Sequence, residues 1–554
     1  MTKTAVVITS TQDIALCYEY MSSDHICLDY STLQIYPKKK LKYFFVDNKF
    51  SNENEHLPQD IALNWYRHED KSDLSFGPFS MGMILEKRLS FMLIIGLKFY
   101  LSLSHWISKY DKIIMPKNLH PLFDPIVKKF SDKIIYIEGD FTLSKTFTTM
   151  ISSRAKSSPI KIRAKSSIAR LLQNILSDCK ENRTLIFPDW TYANYTNSKY
   201  LYLNSKSLSS GFYLSFNNSF KEKIEAYIAL HPVFSDYIDS RVHSVVQSDV
   251  NQDQLKSIIV AIIEQEYKDA RSDAIHNYVV FKELVDKYKP KSIIIPDDGY
   301  NPWYNMLLQV TSEMNIPTYS IQDGYLSYIY KDYFKLNRKG DGYLVDNYMT
   351  MGTLGDMLVN KHVPKLNTIM IEPPLISNYL NIKKNSGKNK YEFIILIPSP
   401  AFKLSSFFDM RYKYVVDVIK CLRSIGFNKI AVKIKRGFPT QNDKEILQNI
   451  LISNDISNVE LLTGDLFNYI SISKYIIGQL STSIIESMIC NTPYFVYEPL
   501  ENGLNENDFT KSIVNGNNYA RDINQLKTNI VNESYLDLPL DKLINGKPFT
   551  ELIN

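Results

Sequence analysis

Short apolar runs alternate along this chain with stretches in which apolar residues recur every three or four positions. Residues 5–10, 25–30, 43–46, 112–115 and 133–137 read as strands, and 13–21 has the spacing of a helix after the first. Such alternation predicts a parallel sheet covered by helices. Residues 89–107 form one long apolar run, with Arg88 before it and Lys98 and His105 inside it. A lysine near the middle of a bilayer is costly, so the run is expected to be a buried helix of a large domain.

Between 141 and 249 the pattern weakens, and Ser, Lys and Asn are frequent. One strand is expected at 184–187, and the region reads as an insertion or sub-domain packed on the first domain. A helical stretch over 252–288 leads to a strand at 291–296 that ends in Asp297-Asp298-Gly299. A helix over 303–313 follows, and a second strand from 316 closes on Gln322-Asp323-Gly324. A new α/β unit is expected from 341, with a lysine-rich linker at 381–390. Its strand at 393–397 runs into Pro398-Ser399-Pro400, and an amphipathic helix covers 412–425. The strand at 429–435 carries Lys433 and Lys435 at its end, just before Arg436, and another strand covers 458–462. Residues 475–497 then parse as strand, turn, helix and strand. Gly478 breaks the first strand, and Ser481, Thr482 and Ser483 are N-cap candidates. Ile484, Ile485, Met488 and Ile489 recur at helical spacing, and Asn491 and Pro493 stop the helix.

The expected fold is therefore α/β, with two Rossmann-like domains facing a cleft. The first is placed at 1–340, including the 141–249 insertion, and the second at 341–500, with 501–554 as helical cover. The chain's 554 residues are too many for one core, which agrees with this division. A net charge of +5 is small for this length and gives no sign of a nucleic-acid partner. The five cysteines lack CxxC spacing, which supports neither a zinc site nor a disulfide framework, and their odd count fits a cytoplasmic location. The apolar run at the N-terminus is too short for a signal peptide. Lys38, Lys39, Lys40 and Lys42 read as a solvated loop, with peripheral contact to an anionic inner membrane as the alternative. The P-loop and GxGxxG patterns are absent, which argues against kinases, ATPases and NAD enzymes. No metal-ligand motif is present, and no metal is expected.

Loops at the carboxyl ends of parallel strands are where open α/β sheets hold ligands. Both acidic-Gly pairs, the cationic strand end and the hydroxyl triplet fall at such places. A helix opening on hydroxyls beside a glycine turn suits a phosphate, and Glu486 one turn further in suits a ribose. The bland alternatives are a capped helix, turn aspartates and a solvated strand end.

This order of motifs resembles the GT-B glycosyltransferases of bacterial surface polysaccharides, over about residues 287–499. Asp297-Asp298-Gly299 and Ser481-Thr482-Ser483 are similar to the acidic and hydroxyl motifs of bacterial sialyltransferases that use CMP-activated sugars. Gln322-Asp323-Gly324-Tyr325, preceded by Ile316-Pro317, resembles a motif of capsule β-Kdo transferases. The expected His-Pro of the second unit is missing, and Lys435-Arg436-Gly437-Phe438-Pro439 stands there. His-Pro pairs occur at 120–121 and 231–232 instead.

The resemblance implies transfer of a CMP-linked 2-keto acidic sugar, Kdo or sialic-acid-like, to a capsule or lipopolysaccharide glycan. The nucleotide sugar is the donor, and no further cofactor is implied. Asp323 is the first candidate for the catalytic carboxylate, followed by Asp298 and Asp297. Lys433, Lys435, Arg436, Ser399, Ser481, Thr482, Ser483 and Glu486 are the candidates for binding the nucleotide. Other readings stay open: a UDP- or GDP-sugar donor, a CDP-alcohol transferase, a UDP-sugar 2-epimerase, or a non-catalytic glycan- or nucleotide-binding protein.

Overall fold

The computed structural model describes residues 2–9, 23–28, 41–45, 61–62, 75–76, 79–116, 123–137, 184–186, 200–202, 255–263, 265–266, 282, 285–286, 289–296, 302–322, 338–339, 342–343, 345–362, 366–373, 389–398, 410–434, 443–479, 481, 483–499, 518–537, 540–548 and 551. They build three parallel sheets and two short hairpins.

The first sheet holds β1 (Thr4–Ile8), β2 (Asp24–Cys27) and β3 (Leu41–Tyr43). A hairpin of β4 (Ser75–Phe76) and β5 (Phe79–Ser80) precedes α1 (Met81–Lys109). Strand β6 (Lys112–Pro116), α2 (Asp124–Lys128) and β7 (Ile134–Ile137) complete the unit. The order is β3-β2-β1-β6-β7, with every pair parallel. Four successive residues of β1, 5–8, are buried, as expected of a strand covered on both faces. The apolar run at 89–107 is a buried helix, as expected. Phe99 of α1 stacks between Phe44 and Phe123, at 5.0 and 4.0 Å. Among the described residues, no helix is long and apolar enough to cross a membrane.

The second sheet draws on strands inside the region expected as an insertion and on strands after it. It contains β8 (Thr184–Ile186), β9 (Tyr200–Tyr202), β10 (Ser292–Pro296), α3 (Pro302–Glu313) and β11 (Thr318–Ile321). After a hairpin of β12 (Arg338–Lys339) and β13 (Gly342–Tyr343) come β14 (Asn347–Met351), α4 (Gly352–His362) and β15 (Asn367–Ile371). The order is β15-β14-β11-β10-β8-β9, again parallel. Two expectations are corrected here. Residues 184–186 and 200–202, placed in an insertion at 141–249, are strands of this sheet. The unit expected to open at 341 instead lends β14 and β15 to the same sheet, because β14 pairs with β11 from Asn347 to Met349.

The third sheet begins at β16 (Tyr391–Leu396). It continues through α5 (Met410–Ser424), β17 (Ile430–Lys433), α6 (Asp443–Ser453), β18 (Val459–Leu462) and α7 (Phe467–Ile470). Then follow β19 (Ser473–Gly478), α8 (Ser483–Ile489), β20 (Tyr494–Tyr497), β21 (Tyr519–Ala520), α9 (Ile523–Val531) and α10 (Leu540–Ile544). The order is β18-β17-β16-β19-β20-β21. One continuous core, including Phe393, Ile395, Val415, Ile419, Val432 and Phe495, joins this sheet to α5, α6 and α9. Asp522 caps α9, accepting from Asn524 N and Gln525 N at 2.9 Å each. The tail, expected as helical cover, also reaches back to the second sheet. Helix α10 packs on α4, and Lys547 bridges Ile371 in parallel register.

Candidate functional site

Chain order makes a crevice in the third sheet. From β16 the chain winds outward through β17 and β18, then returns to lay β19 on the other side of β16 and winds outward again. The reversal falls between β16 and β19, and such a reversal is where open α/β sheets hold ligands. Buried Pro398 follows β16 there, and Gly478 ends β19.

Gly478 is required by close packing. A Cβ added there would strike the Tyr494 hydroxyl, lie 3.0 Å from Tyr494 Cζ and stand 3.3 Å from Leu396 Cβ. The Tyr494 hydroxyl donates to Gln479 O at 2.7 Å and lies 3.4 Å from Ser483 Oγ. Ser481 Oγ and Ser483 Oγ are in hydrogen-bond contact. Burial pushes the Tyr494 phenol far above its ordinary range, so it remains a neutral donor. Gln479 Nε2 donates to the buried Glu498 carboxylate at 3.1 Å. The turn is thus held from beneath by β20. Helix α8 stops near the expected place, and Asn491 takes the left-handed conformation at φ 53°.

Lys433 ends β17 beside this crevice. It is only 6 % exposed, so the reading of a solvated strand end does not hold for this residue. Its Nζ donates to Ile434 O at 2.5 Å. Burial pushes its ammonium down to about 8, an effect partly offset by the charges of Asp465 and Glu486. Glu486 lies in the first turn of α8. The edge therefore gathers a buried cation, two carboxylates and the serine hydroxyls.

Among the candidate residues, Lys433, Ser481, Ser483 and Glu486 are described, and all stand at this edge. Ser399, Lys435, Arg436, Thr482, Asp297, Asp298 and Asp323 lie outside the described residues. The strand before Asp297 and Asp298, β10, sits where the second sheet reverses, between β10 and β8. The residue before Asp323, Gln322, is fully buried, and its Oε1 accepts from Met351 N at 2.7 Å. Among the described residues no group of three or more His, Cys, Asp or Glu gathers to hold a metal ion.

Sequence reasoning missed a buried clamp. Arg411 Nη1 and Nη2 reach Asp443 Oδ2 and Oδ1 at 3.2 and 3.1 Å, and the Tyr412 hydroxyl donates to Oδ1 at 2.7 Å. The clamp ties the first turns of α5 and α6. Its members are 32 residues apart, and no local pattern links them. Tyr494 read only as a strand residue, and nothing before the fold pointed its hydroxyl at Gln479.

No protein-family model and no curated protein matches the chain. Solved structures similar to part of it include UDP-GlcNAc 2-epimerase of Methanocaldococcus jannaschii in complex with UDP-GlcNAc and UDP. That likeness has 13% identity and a TM-score of 0.36, over 50% of this chain and 77% of that one. The Neisseria meningitidis UDP-GlcNAc 2-epimerase bound to UDP-GlcNAc is similar at 11% identity and TM-score 0.35, over 51% and 77%. A glycosyltransferase from Rickettsia africae ESF-5 is similar at 12% identity and TM-score 0.32, over 51% and 80%. At these values the likeness assigns neither activity nor substrate to the chain.

Proposed function

We propose that the chain is a glycosyltransferase of GT-B type that holds a nucleotide-activated sugar at the β16/β19 crevice. The observation that carries this reading is the buried Lys433 cation at the carboxyl edge, electrostatically coupled to Glu486 and across β16 from the Gly478 turn. A buried ammonium is costly without a counter-charge. A phosphate in the crevice supplies one, and an ammonium with three donors retains N–H groups for it beyond the bond to Ile434 O. Ser481 and Ser483 offer hydroxyl donors to the phosphate, and Glu486 accepts from ribose hydroxyls. Thr482, Ser399, Lys435 and Arg436 complete the nucleotide site in this reading.

The donor is a CMP-activated 2-keto acidic sugar, Kdo or sialic-acid-like, on the strength of the order of the motifs. The acceptor is a capsule or lipopolysaccharide glycan, met in the cytoplasm or at the inner membrane. Asp323 is the catalytic carboxylate, with Asp298 and then Asp297 as the next choices. As a base it takes the proton of the acceptor hydroxyl while that oxygen bonds the anomeric carbon. The bond from that carbon to the phosphate oxygen breaks, and its electron pair leaves with CMP. As a nucleophile it forms the bond itself and passes the sugar on in a second step. Lys433 and the hydroxyls stabilise the departing phosphate without a metal. With UDP or GDP in place of CMP, the same site serves a diphosphate donor.

The test is transfer of labelled sugar from CMP-Kdo and CMP-sialic acid by wild-type protein, Asp323→Ala and Asp298→Ala. Loss of at least a hundredfold in one variant is expected, in line with removal of a catalytic base. Full activity in both removes the catalytic assignment. Nucleotide binding without transfer from any sugar nucleotide favours a non-catalytic binding protein.

A further inference from the structure

The tail segment 540–548 joins two parts of the molecule that the proposed reaction must align. Helix α10 packs against α8, which carries Ser483 and Glu486, and against α4 of the second sheet. The turn after α10 reaches the start of α4, where Asn545 Oδ1 accepts from Thr353 N at 2.8 Å. Asn545 Nδ2 donates to Thr353 Oγ1 at 2.5 Å. The first N–H groups of a helix have no partner within it. Here the Met351 N–H just before α4 goes to Gln322 Oε1, and the Thr353 N–H within it goes to Asn545, which is 192 residues away in sequence. Gly546 then lies on the backbone of β15. A Cβ there would collide with the Ile371 carbonyl carbon and stand 2.6 Å from its oxygen and 2.7 Å from Glu372 N. Lys547 closes the contact, donating from N to Met370 O at 3.3 Å and accepting from Glu372 N at 3.0 Å.

These contacts form a continuous path. It runs from the helix beside the nucleotide crevice through α10 and Asn545 to the start of α4, and from there to Gln322, the residue before Asp323. Gly355 tightens the last step, since a Cβ there would be 2.8 Å from Gln322 Oε1. We propose that segment 540–548 is a strap that transmits nucleotide occupancy of the third sheet to Gln322 at the end of β11, with Asn545 as its positioning residue. The proposal rests on the reading of the crevice as a nucleotide site. The strap makes opening of the α4 start and release of the ligand parts of one event.

Hydrogen exchange of the full chain, with and without CMP or UDP, tests this. When opening releases the ligand, exchange slows by a factor of about 100 at a nucleotide concentration 100 times Kd. The expected result in wild type is such slowing at 483–489 and also at 349–355, remote from the crevice. Asn545→Ala keeps the first and loses the second. Asn545→Asp, which retains an acceptor for Thr353 N–H, restores it. Slowing confined to 483–489 in wild type, or remote slowing unchanged in Asn545→Ala, overturns the strap and leaves the nucleotide site standing. No slowing in either segment overturns the nucleotide reading and the strap with it.

Discussion

Gly478 is where a single carbon decides whether the crevice forms. Gly478→Ala drives a methyl into the Tyr494 hydroxyl and is expected to cost about 1–3 kcal/mol, the usual range for overpacking. Tyr494→Phe loses the bond to Gln479 O and is expected to cost about 1 kcal/mol. The two changes couple, because removing the hydroxyl makes room for the methyl. Urea unfolding of both single variants and the double variant checks this, and the double is expected to be more stable than the sum of the singles. Lys433 gives a pH signature. Its folded-state pKa is lowered to about 8 from 10.5. Below about 8 the charged form is buried and its cost is present in full. Between about 8 and 10.5 the unfolded chain binds more protons, so this group makes stability rise with pH. A phosphate beside the ammonium has the opposite effect and pulls the pKa back up. Nucleotide binding near pH 8.5 is therefore expected to take up protons and to weaken as pH rises. Calorimetry in two buffers of different ionisation heat reads that uptake, and Lys433→Met is expected to abolish it. The strand-end place of Lys433 was legible in the sequence. Its burial was not, because it depends on the tertiary fold, which brings Asp465 and Glu486 near it from 32 and 53 positions away.

At the scale of elements, the Arg411–Asp443 clamp ties the first turn of α5 to that of α6. The side chains of the pair are 2% and 1% exposed. Asp443→Asn leaves a buried guanidinium without its counter-charge and is expected to cost about 3–5 kcal/mol, read by denaturant unfolding. Arg411→Met combined with Asp443→Leu removes both charges and is expected to recover most of that loss. Elements with dense apolar runs were legible: the strands over 391–396, 430–433 and 494–497, and the turn and helix from Gly478 to Asn491. β14 and β15 were not separated, because Asn347, Thr350 and Asn367 dilute their apolar signal. The hydrogen bonds that place β14 come from β11, 28 residues earlier at each pair from Tyr319–Asn347 to Ile321–Met349, and β15 pairs in turn with β14, out of reach of any local pattern.

For the whole molecule, the α/β class followed from alternation alone, since helices and strands announce themselves locally. The assignment of strands to sheets did not, because parallel pairing is set by long crossovers. Strands β8 and β9 share a sheet with β14 and β15 across more than 140 positions. The tail is the other non-local feature. Gly546→Ala is expected to detach it from β15, and limited proteolysis is expected to release a C-terminal peptide faster than from wild type. Unchanged cleavage contradicts the close backbone contact. The central claim, that the β16/β19 crevice holds a nucleotide, is tested most directly by isothermal titration of wild type and Lys433→Met with CMP, UDP, GDP and CDP. One nucleotide is expected to bind wild type at a single site, and Lys433→Met is expected to bind it at least tenfold more weakly. Binding of none of the four, or equal binding by both proteins, contradicts it.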